Sequence, residues 1–516
     1  MILSLQTSKA QQRPLRLMSK NTRYIIAILI IAALIRLATV WCGTNVDEGV
    51  YWAEGKQLAD GYVIYRDTQF NKTPLAPIVA ALFFIVGDAP IIPMRLAMVM
   101  FSLIGLLTLW LLGKELLGEK AAWAALLILT LEPFTCIWAK YLHTSTWAPW
   151  FETIVYWLLI TGLIRNNTKR ILLSGVVLGL YALSKQTAIF VIPPAIAAWF
   201  IFCQEKTIDR FIKDGLMWAL GIMLIMGPFL LTMLLLGALP AMWFDIWTAH
   251  HLMAGAFAHH TWIFRWHEWK SILNLAPVLW ILPVGSLMLL RGKQLKTMGF
   301  VWLWFITVLL GNIIIPTHLW RHYFLVCAAP AALLAGAFAA WLMDQITRRF
   351  EKRALVRWAC ITVLVIGSMA GWPKNDWFYP GLSLTDESNL AKHVKRYCDE
   401  PYLLNLTNPA LYVWTDKEIP PAFQGERMTR MPFFMTIAGR GYMTPDDMQR
   451  TVEYWKTLPI GCVVAYDKYI RQIMDDPLVA PMRNWLDENF KKPQRVSFGE
   501  SYYGWFFIFE RDVEKQ

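Results

Sequence analysis

The chain has 516 residues, 56% of them hydrophobic, with a mean hydropathy of +0.40 and a formal net charge of +12. About 45–50% apolar residues is usual for a soluble domain, so this composition excludes an ordinary soluble globular protein. Nor does the charge point to nucleic acid, because the basic residues gather in short stretches between apolar runs, the positive-inside pattern of a polytopic membrane protein.

In chain order, a basic lead (Lys9, Arg13, Arg16, Lys20, Arg23) precedes the apolar run YIIAILIIAALIRLATVW. No small-residue cleavage site follows, which predicts a signal anchor and first span. Two adjacent carboxylates, Asp47 and Glu48, come directly after it. In GVYWAEGKQLADGY, Tyr51, Leu58 and Tyr62 alternate with Glu54, Lys56, Gln57 and Asp60, a spacing that predicts a helix lying in the headgroup plane. Lys72 follows in FNKTPL. The run PLAPIVAALFFIVG (74–87) is short, and runs of about 10–14 residues are more often interfacial or re-entrant than spanning.

With the first span near residue 24, further spans are predicted to start near 95, 120, 147, 170, 187, 214, 271, 298, 322 and 355, about eleven in all. Charge parity supports the short run's exclusion. The basic loops RNNTKR (165–170), RGKQLK (291–296) and TRRFEKRALVR (347–357) all fall in the cytoplasm only if 74–87 does not cross. The outer face then holds the loop 42–94, a long loop 238–270, all nine histidines and the tail beyond Trp372.

That tail is polar and mixed in charge. YLLNL (402–406), ALYVWT (410–415), GCVVAY (461–466) and YYGWFFIFER (502–511) read as strands; segments near 385–397, 445–457 and 478–490 read as helices. The expected organisation is a transmembrane catalytic domain, 1–372, and an extracytoplasmic α/β domain, 373–516. The seven cysteines show no CxxC pair and no zinc spacing. Cys398 and Cys462 are the two in the tail; a disulfide and two free thiols both stay open, since sequence gives no distance.

The stretch DEGVYWAEGKQLADGYVIYRDTQFNKTPLAPIVAALFFIVG, with the arginine of PMRLA (Arg95), resembles the first outer loop of GT-C membrane glycosyltransferases. It is similar to the dolichyl-phosphate-mannose protein mannosyltransferase superfamily, which includes the bacterial lipid A aminoarabinose transferases. GVVLGLYALSKQTAIF (175–190) and RHYFLVCAAPAALLAG (321–336) resemble later segments of that family. Three positions depart from it: KTP stands where KPP is usual, Val50 where the lipid A enzymes carry arginine, and KYLHTSTWAPW (140–150) lacks an acid after the threonine. The resemblance implies a GT-C polytopic helical fold and transfer, with inversion, of a sugar from a polyprenyl-phosphate donor. It also implies a lipid, glycan or protein acceptor and a site on the outer face of a bacterial inner membrane. No cofactor is expected, and a divalent metal stays open.

A polyprenyl phosphate is a weak base and leaves without a general acid, but it needs cations for its growing charge. Lys72, Arg95, Lys185, Arg321 and His322 sit at predicted outer span ends and are the candidate clamp; Tyr51, His143 and Tyr323 are further candidate substrate contacts. Such residues also snorkel to headgroups with no other role. A hydroxyl acceptor needs a base, and Asp47 is the first choice, with Glu48 binding acceptor or orienting a neighbour. The pairs His250–His251 and His259–His260 lack an accompanying acid and read as part of an aromatic interfacial loop. The alternative function is a transporter or flippase of lipid-linked sugars. It would be expected to carry polar groups deep in several spans, whereas here the spans read as nearly clean.

Overall fold

The computed structural model describes residues 20–88, 90–248, 262–291, 294–314, 319–350, 353–372, 383–424, 426–431, 443–466, 477–496 and 506–512. The two histidine pairs lie outside these residues. The first ten helices are α1 Lys20–Leu37, α2 Val46–Ala59, α3 Leu75–Val86, α4 Ile91–Leu117, α5 Glu119–Leu131, α6 Pro133–Trp138, α7 Thr144–Ile164, α8 Thr168–Ser184, α9 Ile192–Phe202 and α10 Ile208–Leu235. Helices Trp262–Leu275, Pro277–Gly285, Leu295–Leu309, Ala328–Arg348 and Arg353–Met369 complete the apolar part.

A helix stands at each of the eleven predicted span positions. Among the described residues, five helices are long and apolar enough to cross a membrane, and six if the pair Ile263–Leu275 and Pro277–Leu289, bent by 95°, forms one broken span. The others fall short individually: α5 has 13 residues, α8 has 17, and α1 carries Lys20, Arg23 and Arg36. The bend follows from Pro277, which cannot continue the hydrogen-bond ladder of the preceding helix. Of the predicted loop 238–270, the described part is helical: Leu239–Trp243 runs on as a π-helical turn, Phe244–Thr248.

The predicted surface helix exists as α2, but it does not lie exposed. Glu48, Tyr51, Trp52 and Glu54 are all fully buried. Two glycines make this possible. A Cβ on Gly49 would collide with Asn408 and stand 2.8 Å from the Ala410 nitrogen, and one on Gly55 would collide with Ala80 of α3. Alternation of polar and apolar residues therefore reports two packed faces, one against α3 and one against the tail.

In the tail, β1 Tyr402–Leu406, β4 Ile460–Tyr466, β5 Gln494–Val496 and β6 Phe506–Glu510 form a sheet in the order β1-β4-β6-β5, with β1 and β4 parallel and the other pairs antiparallel. β2 Pro421–Gln424 and β3 Arg427–Arg430 form a separate hairpin. The expected strand at 410–415 is instead a helix, Ala410–Thr415. Its residues are almost all buried, so period two and period 3.6 cannot be told apart by burial. Pro409 starts the turn, Asn408 accepts from the Ala410 N–H at 3.0 Å, and Asp416, left-handed at φ 55°, ends it. The three expected helices appear at Leu384–Tyr397, Pro445–Lys456 and Ala480–Asn489. Cys398 and Cys462 are joined, with their Cα atoms 5.5 Å apart, so the open alternative resolves to a disulfide tying the first tail helix to β4.

Gly49→Ala should lower the thermal unfolding midpoint, because overpacking of this kind costs about 1–3 kcal/mol. Gly87→Ala, where a Cβ meets open space, should not. Thermal melts of the two purified variants in the same detergent check this.

Candidate active site

The site is built where the chain leaves α1. Arg95, one turn into α4, closes this exit. Its Nη1 donates to the carbonyls of Val40 (2.6 Å) and Cys42 (2.5 Å), and its Nη2 to Gly43 (3.2 Å). The rest of the guanidinium grips Glu48 at both oxygens, 3.2 Å and 2.6 Å. Leu142 N–H also donates to Glu48 (3.3 Å). Both charged side chains are 0% exposed. Glu48 and Arg95 therefore satisfy each other out of contact with solvent.

Asp47, the next residue back, points the other way and is 30% exposed. Asn45 caps α2 by accepting the Asp47 N–H at 2.9 Å. One carboxylate oxygen of Asp47 takes Lys72 Nζ at 2.5 Å; the other lies 3.1 Å from His143 Nε2 and 3.9 Å from His322 Nε2. His143 caps α7, and its Nδ1 accepts the Ser145 N–H at 3.0 Å. A neutral ring so held carries its proton on Nε2 and donates it to Asp47. Burial pushes the Asp47 carboxyl up, but Lys72 and the His143 hydrogen bond outweigh it and hold the group well below the usual carboxylate range. Burial likewise opposes the Lys72 charge, and Asp47 more than restores it, so the ammonium is firmer than usual.

The remaining walls are aromatic and cationic. Lys72 lies 4.9 Å over the Tyr51 ring, and Lys185 lies 4.9 Å over the Tyr323 ring while donating to Ser145 Oγ at 2.7 Å. The rings of His143 and His322 stand 4.6 Å apart, with Trp138 5.4 Å from each. Tyr51 Oη is 3.4 Å from Thr144 Oγ1. Seven predicted residues thus meet in one place: Asp47, Tyr51, Lys72, His143, Lys185, His322 and Tyr323. Arg321, next to His322 in the chain, pairs with Glu268 at 3.0 Å.

Sequence reading missed Ser145, Thr144 and Trp138. The available signal was HTST opening a span, four polar residues at an otherwise apolar boundary. It also missed Glu152, a buried carboxylate inside α7 that corrects the picture of clean spans. Its oxygens accept from Tyr181 Oη and Trp304 Nε1, each at 2.8 Å, which ties α7 to two neighbouring helices.

Among the described residues, Asp47, His143 and His322 bring three potential metal ligands within 4.8 Å of one another. The fit to a dication is poor as arranged. Lys72 already occupies one Asp47 oxygen at 2.5 Å, and the His143 lone pair at Nδ1 is spent on Ser145. The cluster suits an anion better, with the Lys72 ammonium bound to Asp47 and with Lys185, which burial pulls down to about 7 and which a neighbouring anion would hold protonated, beside it.

The fold matches known structures along nearly its whole length. ArnT from Cupriavidus metallidurans bound to undecaprenyl phosphate superposes with a TM-score of 0.60 at 11% identity, covering 96% of this chain and 99% of that one. The chain therefore shares the fold of this transferase. The archaeal oligosaccharyltransferase AglB from Archaeoglobus fulgidus, in complex with an inhibitory peptide and a dolichol-phosphate, gives a TM-score of 0.56 at 12% identity, covering 94% of this chain and 74% of that one. The family model described as dolichyl-phosphate-mannose-protein mannosyltransferase matches residues 71–233 of this chain, from just before Lys72 to near the end of α10. No curated protein matches it in sequence.

The two halves of the acid pair should fail differently. Arg95→Ala leaves Glu48 buried and uncompensated, a loss of about 3–5 kcal/mol, and should abolish folded yield on size exclusion. Lys72→Ala should fold normally and lose affinity for polyprenyl phosphate in a nanodisc binding assay, by about 1.5–3 kcal/mol for one charge-assisted hydrogen bond.

Proposed function

We propose that this protein is an integral membrane glycosyltransferase that moves a sugar, with inversion, from a polyprenyl-phosphate donor to an acceptor on the extracytoplasmic side of a bacterial inner membrane. The observation that carries the reading is Asp47 fixed between Lys72 and His143, with Lys185 and His322 beside it. The GT-C fold and the lipid phosphates named for both neighbours support it. In this reading about eleven helices cross the bilayer, α3 lies at the outer surface and the tail from about residue 373 is extracytoplasmic.

The acceptor oxygen attacks the anomeric carbon as the bond from that carbon to the phosphate oxygen breaks. The lipid phosphate leaves with the bonding pair, and Lys72 and Lys185 take up its second negative charge. With a hydroxyl acceptor, the displaced proton goes to Asp47. The depressed pKa of Asp47 favours a second reading, in which the acceptor is itself a phosphate and Asp47 orients Lys72 and the acceptor without accepting a proton. Transport fits less well, because Glu152 is locked between Tyr181 and Trp304 rather than lining a path.

Purified protein given a panel of polyprenyl-phosphate sugars should release free lipid phosphate; no release with any donor would sink the proposal. Asp47→Asn should lose at least about a hundredfold in transfer if Asp47 is the base. Because its folded pKa is lowered, Asp47 stays charged as pH falls through the usual carboxylate range. The ratio of wild-type to Asp47→Asn rates should therefore stay level between about pH 5 and pH 8. A phosphate acceptor predicts a smaller, equally level deficit. EDTA should leave the rate unchanged; a loss restored by a dication would place a metal on Asp47, His143 and His322.

A further inference from the structure

We infer that the C-terminal sheet region is a working part of the transfer site, and that Arg427 of β3 positions Lys72 by way of Tyr65. The inference rests on the transferase reading for the role of Lys72.

Lys72 ends an irregular segment, residues 60–73, whose own hydrogen bonds do not fix it as a helix or a sheet would. Tyr65 in its middle is fully buried and left-handed, at φ 67°. A bulky residue keeps that conformation only where its surroundings over-determine it. Two bonds do so here. Tyr65 Oη donates to the Lys72 carbonyl at 2.9 Å, and the Tyr65 carbonyl accepts from Arg427 Nη2. The other arm of Arg427 donates to the buried Asp245 (3.3 Å), whose second oxygen accepts the Phe70 N–H (3.3 Å). One guanidinium thus grips the segment directly at residue 65 and through Asp245 at residue 70.

β3 adds backbone bonds to the same segment. Arg430 N–H donates to the Asp67 carbonyl, and the Arg430 carbonyl accepts from Gln69 N–H, each at 3.0 Å, so Thr68 pairs with Arg430 as a parallel bridge. The Arg430 guanidinium covers the Tyr62 ring at 4.0 Å. The side-chain path runs from Arg427 to Tyr65, from Tyr65 to Lys72 and from Lys72 to Asp47 at 2.5 Å. Arg427 is a positioning residue in this path, acting on the lysine through the backbone.

The test uses full-length protein in lipid nanodiscs. It measures affinity for undecaprenyl phosphate and the rate at which an amine-acetylating reagent modifies Lys72, read by peptide mass spectrometry. Arg427→Ala, and Tyr65→Phe with its ring and burial kept, should each weaken lipid-phosphate binding and speed Lys72 acetylation by up to about tenfold, the scale of one net hydrogen bond. Arg427→Lys should fall between wild type and Arg427→Ala. In a Lys72→Ala background, Arg427→Ala should weaken binding no further. Additive losses in that background, or unchanged Lys72 reactivity in both single variants, would overturn the inference in favour of a brace that only stabilises the fold. The acetylation measurement needs no turnover. A wild type that transfers no sugar would therefore overturn the transferase reading while the positioning result stayed readable.

Discussion

The structure depends on one buried ion pair. Arg95 and Glu48 lie wholly out of water, where each charge alone is costly by several kcal/mol. The cost is met by saturation: the guanidinium reaches both Glu48 oxygens and three backbone carbonyls at the end of α1, and Glu48 takes an N–H from Leu142 as well. The pair stitches α1, α2, α4 and the turn before α7 at one point. Asp47 is the adjacent residue, so it inherits that rigidity. An acidic pair at the end of a first span is thus one anchor and one exposed charge, with the helical turn between them turning the two side chains apart.

A second support comes from the far end of the sequence. Thr44, three residues before Asp47, gives its N–H and its hydroxyl to Glu387 at 2.7 Å and 2.5 Å, and its carbonyl accepts from Asn408 at 3.1 Å. Trp414 Nε1 holds the same Glu387 at 3.2 Å. Together with the Arg427 contacts, the tail reaches both strands of chain that carry the charged residues, one before Asp47 and one before Lys72. The tail is folded into the site's foundations, and Gly49 of α2 lets it come that close.

The membrane character, the helix positions and most tail elements were legible because apolar length and period are local properties of sequence. Seven of the ten candidate residues lie together in the structure, as expected of polar groups picked at span ends on one predicted face. What was not legible depends on contacts across the chain. The burial of α2 follows from Asn408 and Ala80 meeting its glycines, and nothing near residues 49 or 55 announces either partner. Arg95 reads as a free cation until Glu48 is seen beneath it. Arg321 reads the same way until Glu268 is seen. The stretch 410–415 misleads for a different reason: a short run buried on every side has no period to read.

The charge count of the cluster bears on its ligand. Burial, helped by the neighbouring Lys72, pulls the Lys185 ammonium down to about 7, so with Lys72 protonated and the imidazoles neutral the cluster's net charge near neutral pH lies between zero and about +1. On the proposed reading the donor, a sugar joined to a lipid through phosphate, is a diester with one negative charge; such an anion would favour the protonated form of Lys185, and donor and cluster would then neutralise each other. Breaking the sugar bond turns that diester into a monoester and adds a second negative charge on the oxygen that leaves. The cluster has no fixed anion to spare for this except Asp47, and Asp47 is held by Lys72 and His143 rather than turned toward the phosphate. The attraction between cations and phosphate therefore grows as the bond breaks, which is stronger binding of the transition state than of the bound donor. The same count favours the phosphate-acceptor reading, in which Asp47 takes no proton. A carboxylate basic enough to take a proton early would also be protonated early, and the cluster would then hold the donor with excess charge and release the lipid phosphate slowly. In that reading a carboxylate kept ionised by a lysine and a histidine keeps the balance at every stage.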